Sequence, residues 1–347
     1  MKKMLPVIMN DQFERLALVD DYSSFIWSTR YYESGDFQLI VDASDKYMNL
    51  FQKGYYVVRD DDENVGIVED IVIERYEDGH QRMIITGGFL DAIIGRRIIA
   101  VQTSLSGNIS ACIEQLLMDN IIDPEDTDRR IDGFIINSYT ISTTMQAQYT
   151  GKNLLEVISS ICETYGIGFK VTFNSNHEFV FALYKGVDRT YDQTENKWVI
   201  FSDKFNNLLS SEYRESYSSI VNAVLVAGEG EGLDRTTAWV TDGSTGINRY
   251  EYYKDQRNVR SDNGEISEDE YLDMLVETGK ESLTTYTTAF TGTVYFDSVK
   301  YKEDIGIGDL CVIQNSEWGI YINSRLVEVI ESVDETGDYS IIPTFGK

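Results

Sequence analysis

Residues 35–88 and 292–346 pass through the same series of β signals, and this internal echo constrains the fold more than any other feature of the chain. Gly35-Asp36-Phe37-Gln38-Leu39 precedes Gly54-Tyr55-Tyr56-Val57-Val58 in the first stretch. Gly292-Thr293-Val294-Tyr295-Phe296 precedes Gly308-Asp309-Leu310-Cys311-Val312 in the second. Each then has a polar turn (Asp60 to Asn64, Gln314 to Glu317) and a Gly-led strand, Gly66-Ile67-Val68 against Gly319-Ile320-Tyr321. β-Branched runs follow, Ile71-Val72-Ile73 against Val327-Glu328-Val329-Ile330. An Asp/Gly turn then leads to Ile84-Ile85-Thr86-Gly87 or Ile341-Ile342-Pro343-Thr344. Identity between the copies is low. It is the shared order, with similar gaps, that marks a duplicated β-module.

Strand patterning agrees with this. Phe37, Leu39 and Val41 alternate as one buried face requires, and short strands separated by turns continue through Gly66 to Ile73 and Met83 to Ile85, the spacing of a barrel or sandwich. The period changes near Gly107. Ile109, Cys112, Ile113, Leu116 and Leu117 share a helical face behind a candidate N-cap, Asn108, and Asp123-Pro124 breaks that helix. Leu154, Val157, Ile158, Ile161, Cys162 and Tyr165 form a second stripe closed by Gly166, which feeds a hairpin of Phe169, Val171 and Phe173 with Phe179, Phe181 and Leu183. Strands resume at Ile220 to Val226 and Thr236 to Val240. Ser267 and Glu270 then make a capping box for a helix bearing Leu272, Leu275, Val276 and Leu283, expected to pack on a sheet or plug a barrel end. The chain therefore reads as mainly β with an α+β insert: 1–103 a first β-barrel, 104–205 a helix–hairpin insert, 206–347 a second barrel with an inserted helix near 267–283. Residues 206–240 complete the first barrel or begin the second.

Composition narrows function. The chain has 58 acidic against 30 basic residues and a formal net charge of −28, which leaves no basic footprint for clamping nucleic acid and opposes docking on an anionic membrane. No apolar run reaches membrane-spanning length, and no apolar segment follows Lys2 and Lys3 to make a signal peptide. Cys112, Cys162 and Cys311 are too sparse for a disulfide framework. The Tyr content (23 residues) suits half-buried sheet faces and contact surfaces.

Motifs for chemistry are weak. His80 and His177 sit beside turns without a metal-ligand pattern. Asp60 to Asn64 opens like a calcium loop, but Val65 and Ile71 stand where that loop needs Gly and Glu, so a solvated hairpin turn is expected. Gly228-Glu229-Gly230-Glu231-Gly232 carries carboxylates that repel phosphate and reads as a flexible loop; Gly151-Lys152-Asn153 lacks the rest of a P-loop. No catalytic, cofactor-binding or metal-ligating residue is nominated, and no cofactor. Trp198, Trp239 and Trp318 are candidates for stacking on sugars, although burial in a core is the commoner fate of tryptophan.

Phe25-Ile26-Trp27-Ser28-Thr29-Arg30-Tyr31, followed by Gly35-Asp36-Phe37-Gln38-Leu39, resembles the N-terminal signature of the siphovirus-type phage tail hub (baseplate hub) family. Arg96-Arg97-Ile98-Ile99 with Gln102-Thr103, Gly151-Lys152-Asn153-Leu154-Leu155, and Val226-Ala227-Gly228-Glu229-Gly230-Glu231-Gly232 resemble later blocks of that family, which is related to the trimeric hubs of contractile-tail baseplates and to the N-terminal part of tail-associated tip proteins. The resemblance spans essentially the whole chain. It implies two tail-tube-like β-barrels per chain, three chains forming a pseudo-six-fold ring on the tail tube, and a structural, non-enzymatic protein of the virion tail tip (baseplate) assembled in the bacterial host cytoplasm. The implied partners are the homotrimer, the tail tube, distal tail proteins, tail fibre or tip proteins and the tape measure protein. The resemblance also implies DNA transit through the lumen without specific nucleic-acid binding, and no membrane insertion is expected. With the second module reaching Phe345-Gly346-Lys347, a C-terminal extension is not expected. The alternatives are a carbohydrate-binding receptor module at the tail tip and a wall hydrolase, and a contractile-tail or injection-system origin stays open.

Overall fold

The computed structural model describes residues 4–137, 139–261, 266–284, 287–294 and 299–346. Lys2, Lys3, Tyr295, Phe296 and Lys347, which entered the sequence reading, lie outside the described residues. Among the described residues four α-helices, α1 (Asp45–Leu50), α2 (Ile109–Leu117), α3 (Leu154–Tyr165) and α4 (Glu268–Lys280), accompany a mainly β structure.

The largest sheet carries both halves of the chain. Along its main path the strands are ordered Leu208–Ser216, Thr287–Val294, Tyr339–Gly346, Ile320–Val333, Ser24–Arg30, Asp36–Asp42, Gln81–Gly88 and Asp70–Arg75, each antiparallel to its neighbours. Leu310–Asn315 pairs with the first part of Ile320–Val333, and Ile200–Ser202 pairs with Leu310–Asn315. This path is open, and it closes no barrel among the described residues.

In the first half a second sheet, Arg15–Leu18, Pro6–Met9, Tyr56–Arg59 and Val65–Ile67, lies over the first. Alternation fills the space between them: Ile8 and Val57 from one sheet meet Phe25, Trp27, Leu39, Val41 and Ile85 from the other, and Tyr47 of α1 with Phe51 just after it closes one end. The stretch Gly66 to Ile73 reads as one strand in sequence but forms two, Val65–Ile67 and Asp70–Arg75, because the chain changes sheets at Val68 and Glu69. In the second half, Phe201, Cys311 and Ile313 pack against Leu326, Val329 and Phe345. Among the described residues Leu208–Ser216 pairs with Thr287–Val294 of this half.

Several backbone features recur between the halves. Tyr76 N–H donates to His80 O (2.8 Å) and Gly79 N–H to Tyr76 O (3.0 Å); Asp334 N–H donates to Asp338 O (3.1 Å) and Gly337 N–H to Asp334 O (2.9 Å). Gly79 and Gly337 have φ of +90° and +81°, open to glycine and strained for other residues. Likewise Gly54 donates to Val68 O and Val68 to Tyr55 O, while Gly308 donates to Leu326 O and Leu326 to Asp309 O. By contrast Gly66 lies within a strand and Gly319 in a turn with φ +67°, so the glycine-led alignment of those two segments is not the structural one.

The insert forms where its local signals say. Asn108 Oδ1 accepts from Ala111 N–H at 2.8 Å, and Asn153 Oδ1 caps α3 through Leu155 and Glu156 N–H. Gly166 ends α3 in the left-handed region. The hairpin Gly168–Phe173 with Phe179–Tyr184 follows, and its core continues into Val58, Val65 and Ile67 of the first half. Ala223–Ala227, Thr237–Thr241 and Glu251–Asp255 make a separate sheet. α4, with the expected capping box, lays Tyr271 and Leu275 on it; Leu272 and Val276 are only partly buried and Leu283 falls beyond the helix end.

Candidate functional site at the seam between the halves

The two halves meet where Ser24–Arg30 pairs with the end of Ile320–Val333, Arg30 opposite Glu328 and Phe25 opposite Val333. Alternation sends Phe25 and Trp27 into the core and leaves Arg30 at the rim, where its guanidinium reaches Glu328 (2.8 Å) and Asp36 (2.6 Å). Burial opposes the Arg30 charge, but these carboxylates outweigh it and hold the pKa above the ordinary value.

Behind this rim lies a buried ion cluster. Arg59, whose side chain is fully covered, donates to both carboxylate oxygens of Glu331 (3.1 and 3.2 Å) and to Asp61 (2.9 and 3.0 Å). Glu331 also accepts from Lys302 Nζ (3.0 Å) and the Tyr339 hydroxyl (2.8 Å), and Lys302 reaches Asp62. Burial raises the Glu331 pKa, yet Arg59 and Lys302 overcome it and leave the group below the usual glutamate value. Arg59 is likewise held above its ordinary value against the cost of burial by Asp61 and Glu331. The acidic run Asp60 to Asn64 is thus not simply a solvated turn: Asp60 is exposed, but Asp61 holds Arg59 and Asp62 reaches Lys302 of the second half.

Tyr31 joins three parts of the chain. Its ring is buried against Gly168 and Gly308, where an added Cβ would come within 2.3 and 2.2 Å of it, and its hydroxyl accepts from Gly186 N–H at 3.1 Å. Beside it opens a cleft of about 430 Å³ lined by Arg30, Asp62, Asp91, Lys170, Tyr184 and Lys302. Burial raises the Asp91 pKa to about 7 even though the Ser34 hydroxyl donates to its carboxylate. The walls carry both signs of charge, side by side and largely paired with each other, which suits locking protein to protein better than holding an anion or a cation.

The other residues singled out in sequence lie elsewhere. His80 is in an exposed turn, and His177, also exposed, stacks on Phe13 at 4.7 Å. Gly228 to Gly232 is pinned rather than free: Tyr271 fills the space beside Gly228, its hydroxyl accepts from Glu229 N–H, and the Glu229 carboxylate takes the Ser261 hydroxyl. Gly151 has φ +66° and leads into the α3 cap. All three cysteines are buried thiols. Trp198, Trp239 and Trp318 are each about half exposed, not core. Among the described residues no cluster of His, Cys, Asp or Glu is placed to hold a metal, and no helix is long and apolar enough to cross a membrane. Sequence reading missed the Arg59–Glu331 pair. Only the oddity of an Arg ending a Tyr-Tyr-Val-Val strand pointed to it.

Comparison with known proteins places this architecture. The fold matches a tail protein from Neisseria meningitidis MC58 (TM-score 0.61, 10% identity, 100% of this chain and 97% of that one). It also matches the prophage MuSo2 43 kDa tail protein from Shewanella oneidensis (0.57, 14%, 98% and 98%) and prophage tail protein gp18 from Listeria monocytogenes EGD-e (0.55, 14%, 99% and 94%). No curated protein matches it in sequence. The segment that resembles the tail hub signature, Phe25 to Tyr31, is the strand that carries the seam, and residues 5–347 match the family described as siphovirus ReqiPepy6 Gp37-like protein: the chain belongs to this phage tail protein family.

Proposed function

We propose that this protein is a structural, non-enzymatic component of the phage tail hub, three copies of which form a pseudo-six-fold ring joining the tail tube to the distal tip. The observation that carries this reading is the seam: it fuses two halves of like strand order, Ser24–Arg30 to Asp70–Arg75 and Leu208–Ser216 to Ile320–Val333, into one sheet. The recurrent hydrogen bonds at Gly54 and Gly308, and at Gly79 and Gly337, support a duplicated tail-tube-like module, with 1–103 and 206–347 as the copies and 104–205 as the insert. A three-fold object can offer six like contacts to a hexameric tube only if each subunit carries the contact module twice. The net charge of −28 supports a lumen that lets DNA pass without holding it. The partners in this reading are the tail tube, distal tail and tape measure proteins, and tip or fibre proteins. The location is the virion tail tip, after assembly in the host cytoplasm. Native mass measurement and negative-stain imaging test it: trimeric rings are expected, and a monomer both at high concentration and in the assembled tail would overturn it.

One observation favours a second reading, a carbohydrate-binding receptor surface at the tip. Trp239, Leu225 and Tyr253 are cross-strand neighbours, with both rings about half exposed, and the Arg249 guanidinium lies 4.8 Å from the Trp239 ring. Binding of host-wall glycans by the wild type, lost in Trp239→Ala, would support it; clean absence of binding would remove it.

A further inference from the structure

Away from the seam, two units of the chain face each other across a polar cleft. One wall belongs to the insert: the end of strand Thr144–Tyr149, the turn at Gly151 and Lys152, and the first two turns of α3. The other belongs to the separate sheet of Ala223–Ala227, Thr237–Thr241 and Glu251–Asp255 with α4. Each wall has its own apolar core. Polar struts join them. The Tyr149 hydroxyl donates to the Glu281 carboxylate and the Tyr165 hydroxyl to Glu277 (3.1 Å). Gln148 brackets the Arg260 backbone, accepting from its N–H at 2.8 Å and donating to its carbonyl at 3.3 Å. Between the walls is a cavity of about 170 Å³, the space of roughly six waters.

The floor of the cavity holds a lysine and a glutamate that do not satisfy each other. Lys254 Nζ donates to Thr278 O (2.9 Å) and Ser282 Oγ (2.7 Å), while the nearer Glu281 oxygen, Oε2, lies 3.9 Å away, beyond hydrogen-bond reach. An ammonium has three N–H groups, so one is left over. Burial dominates both groups, lowering the Lys254 pKa and raising that of Glu281, each toward its uncharged form. A ligand hydroxyl that accepts from one and donates to the other recovers what burial takes away. At the mouth, Lys152, Glu156 and Asn258 are exposed and Gln256 is half-buried; none of these four side chains makes a hydrogen bond or ion pair among the described residues. Lys152 stands on a fixed support, because Gly151 turns at φ +66° and the turn is tied to Ile99 through Gly151 N–H (2.7 Å) and Lys152 O (2.9 Å).

We propose that this cleft binds one neutral sugar unit, a polyhydroxylated ring held between the insert and the α4 unit. Lys152 and Lys254 are balanced by Glu156 and Glu281, so the cavity has no excess charge with which to select an anion or a cation. Its ammonium, carboxylate, carboxamide and Ser160 hydroxyl groups mix donors with acceptors, which complements neighbouring hydroxyls that each do both. Buried Val157 gives a C–H face something apolar to rest on. The site is separate from the Trp239 surface: Val240 and Lys254 point toward α4, so alternation puts Trp239 and Tyr253 on the opposite face of the same sheet. It requires neither that surface nor the ring.

Saturation-transfer NMR on the whole chain tests the proposal, with D-glucose, D-galactose, L-rhamnose and N-acetyl-D-glucosamine as neutral probes and glycine and inorganic phosphate as charged ones. At least one sugar should bind, in preference to either charged probe. Gln256→Ala combined with Asn258→Ala, at side chains that hold nothing else in place, should weaken that sugar at least about tenfold at unchanged melting temperature, as the loss of two hydrogen bonds predicts. Trp239→Ala should leave its binding unchanged. No signal from any sugar, preference for glycine or phosphate, or binding lost in Trp239→Ala and kept in the Gln256, Asn258 variant would each overturn the proposal. All three results leave the ring standing, which native mass tests separately.

Discussion

Replacing Glu331 with Gln tests whether the buried ion cluster holds the two halves together. The side chain is 1% exposed and accepts from Arg59, Lys302 and Tyr339, so the substitution keeps its shape while removing the charge those donors face. Breaking a buried pair by neutralising one partner costs about 3–5 kcal/mol, because the other charge stays buried. Arg59 keeps Asp61 and Lys302 keeps Asp62, which places this change near the lower end, about 3 kcal/mol. Urea unfolding of both proteins at pH 7 measures the difference. A loss below about 1 kcal/mol, the range of exposed pairs, would refute the claim that the cluster is a structural lock. The pH dependence gives a second check. The folded pKa of Glu331 lies below the ordinary glutamate value, so its contribution is present above that value and lost as pH falls through the folded pKa. The gap between wild type and Glu331→Gln should therefore close in acid.

Asp91 carries the opposite sign. Its folded pKa of about 7 exceeds the unfolded one, so its contribution is full below the unfolded pKa and fades as pH rises through the folded value. Asp91→Asn should gain on wild type by about 3 kcal/mol between pH 5 and pH 8, the span over which the raised pKa is crossed, read from urea unfolding at the two pH values; a pH-independent difference would refute it. Gly308→Ala drives a Cβ into the Tyr31 ring at a backbone of φ +89°, and a fall in melting temperature corresponding to about 2 kcal/mol or more is expected. Asn153→Ala removes the cap of α3 and should cost about 1 kcal/mol in urea unfolding while leaving any ring intact by native mass.

Local signals were legible in the sequence because their causes are local. The Asn153 cap, the Gly166 terminator, the Ser267–Glu270 box and the alternation of Phe37, Leu39 and Val41 each lie within a turn or two of what they specify. The break at Val68–Glu69 was hidden because β-branched residues continue through it, and only pairing partners far along the chain reveal the change of sheet. The seam cluster was hidden for a related reason: nothing near Arg59 announces Glu331, and an acidic run reads the same whether it faces water or a distant lysine. Order of motifs carried the family, since the signature Phe25 to Tyr31 is also the strand on which the halves join. Strand patterning cannot decide closure, and the sheet proves open in the single chain.

A reconstruction of the assembled tail tip, refined without imposed symmetry, tests the central claim most directly. Three copies are expected around the axis, each filling two successive positions of a pseudo-six-fold ring. Six copies with one position each, or three whose second halves lie outside the ring, would contradict it.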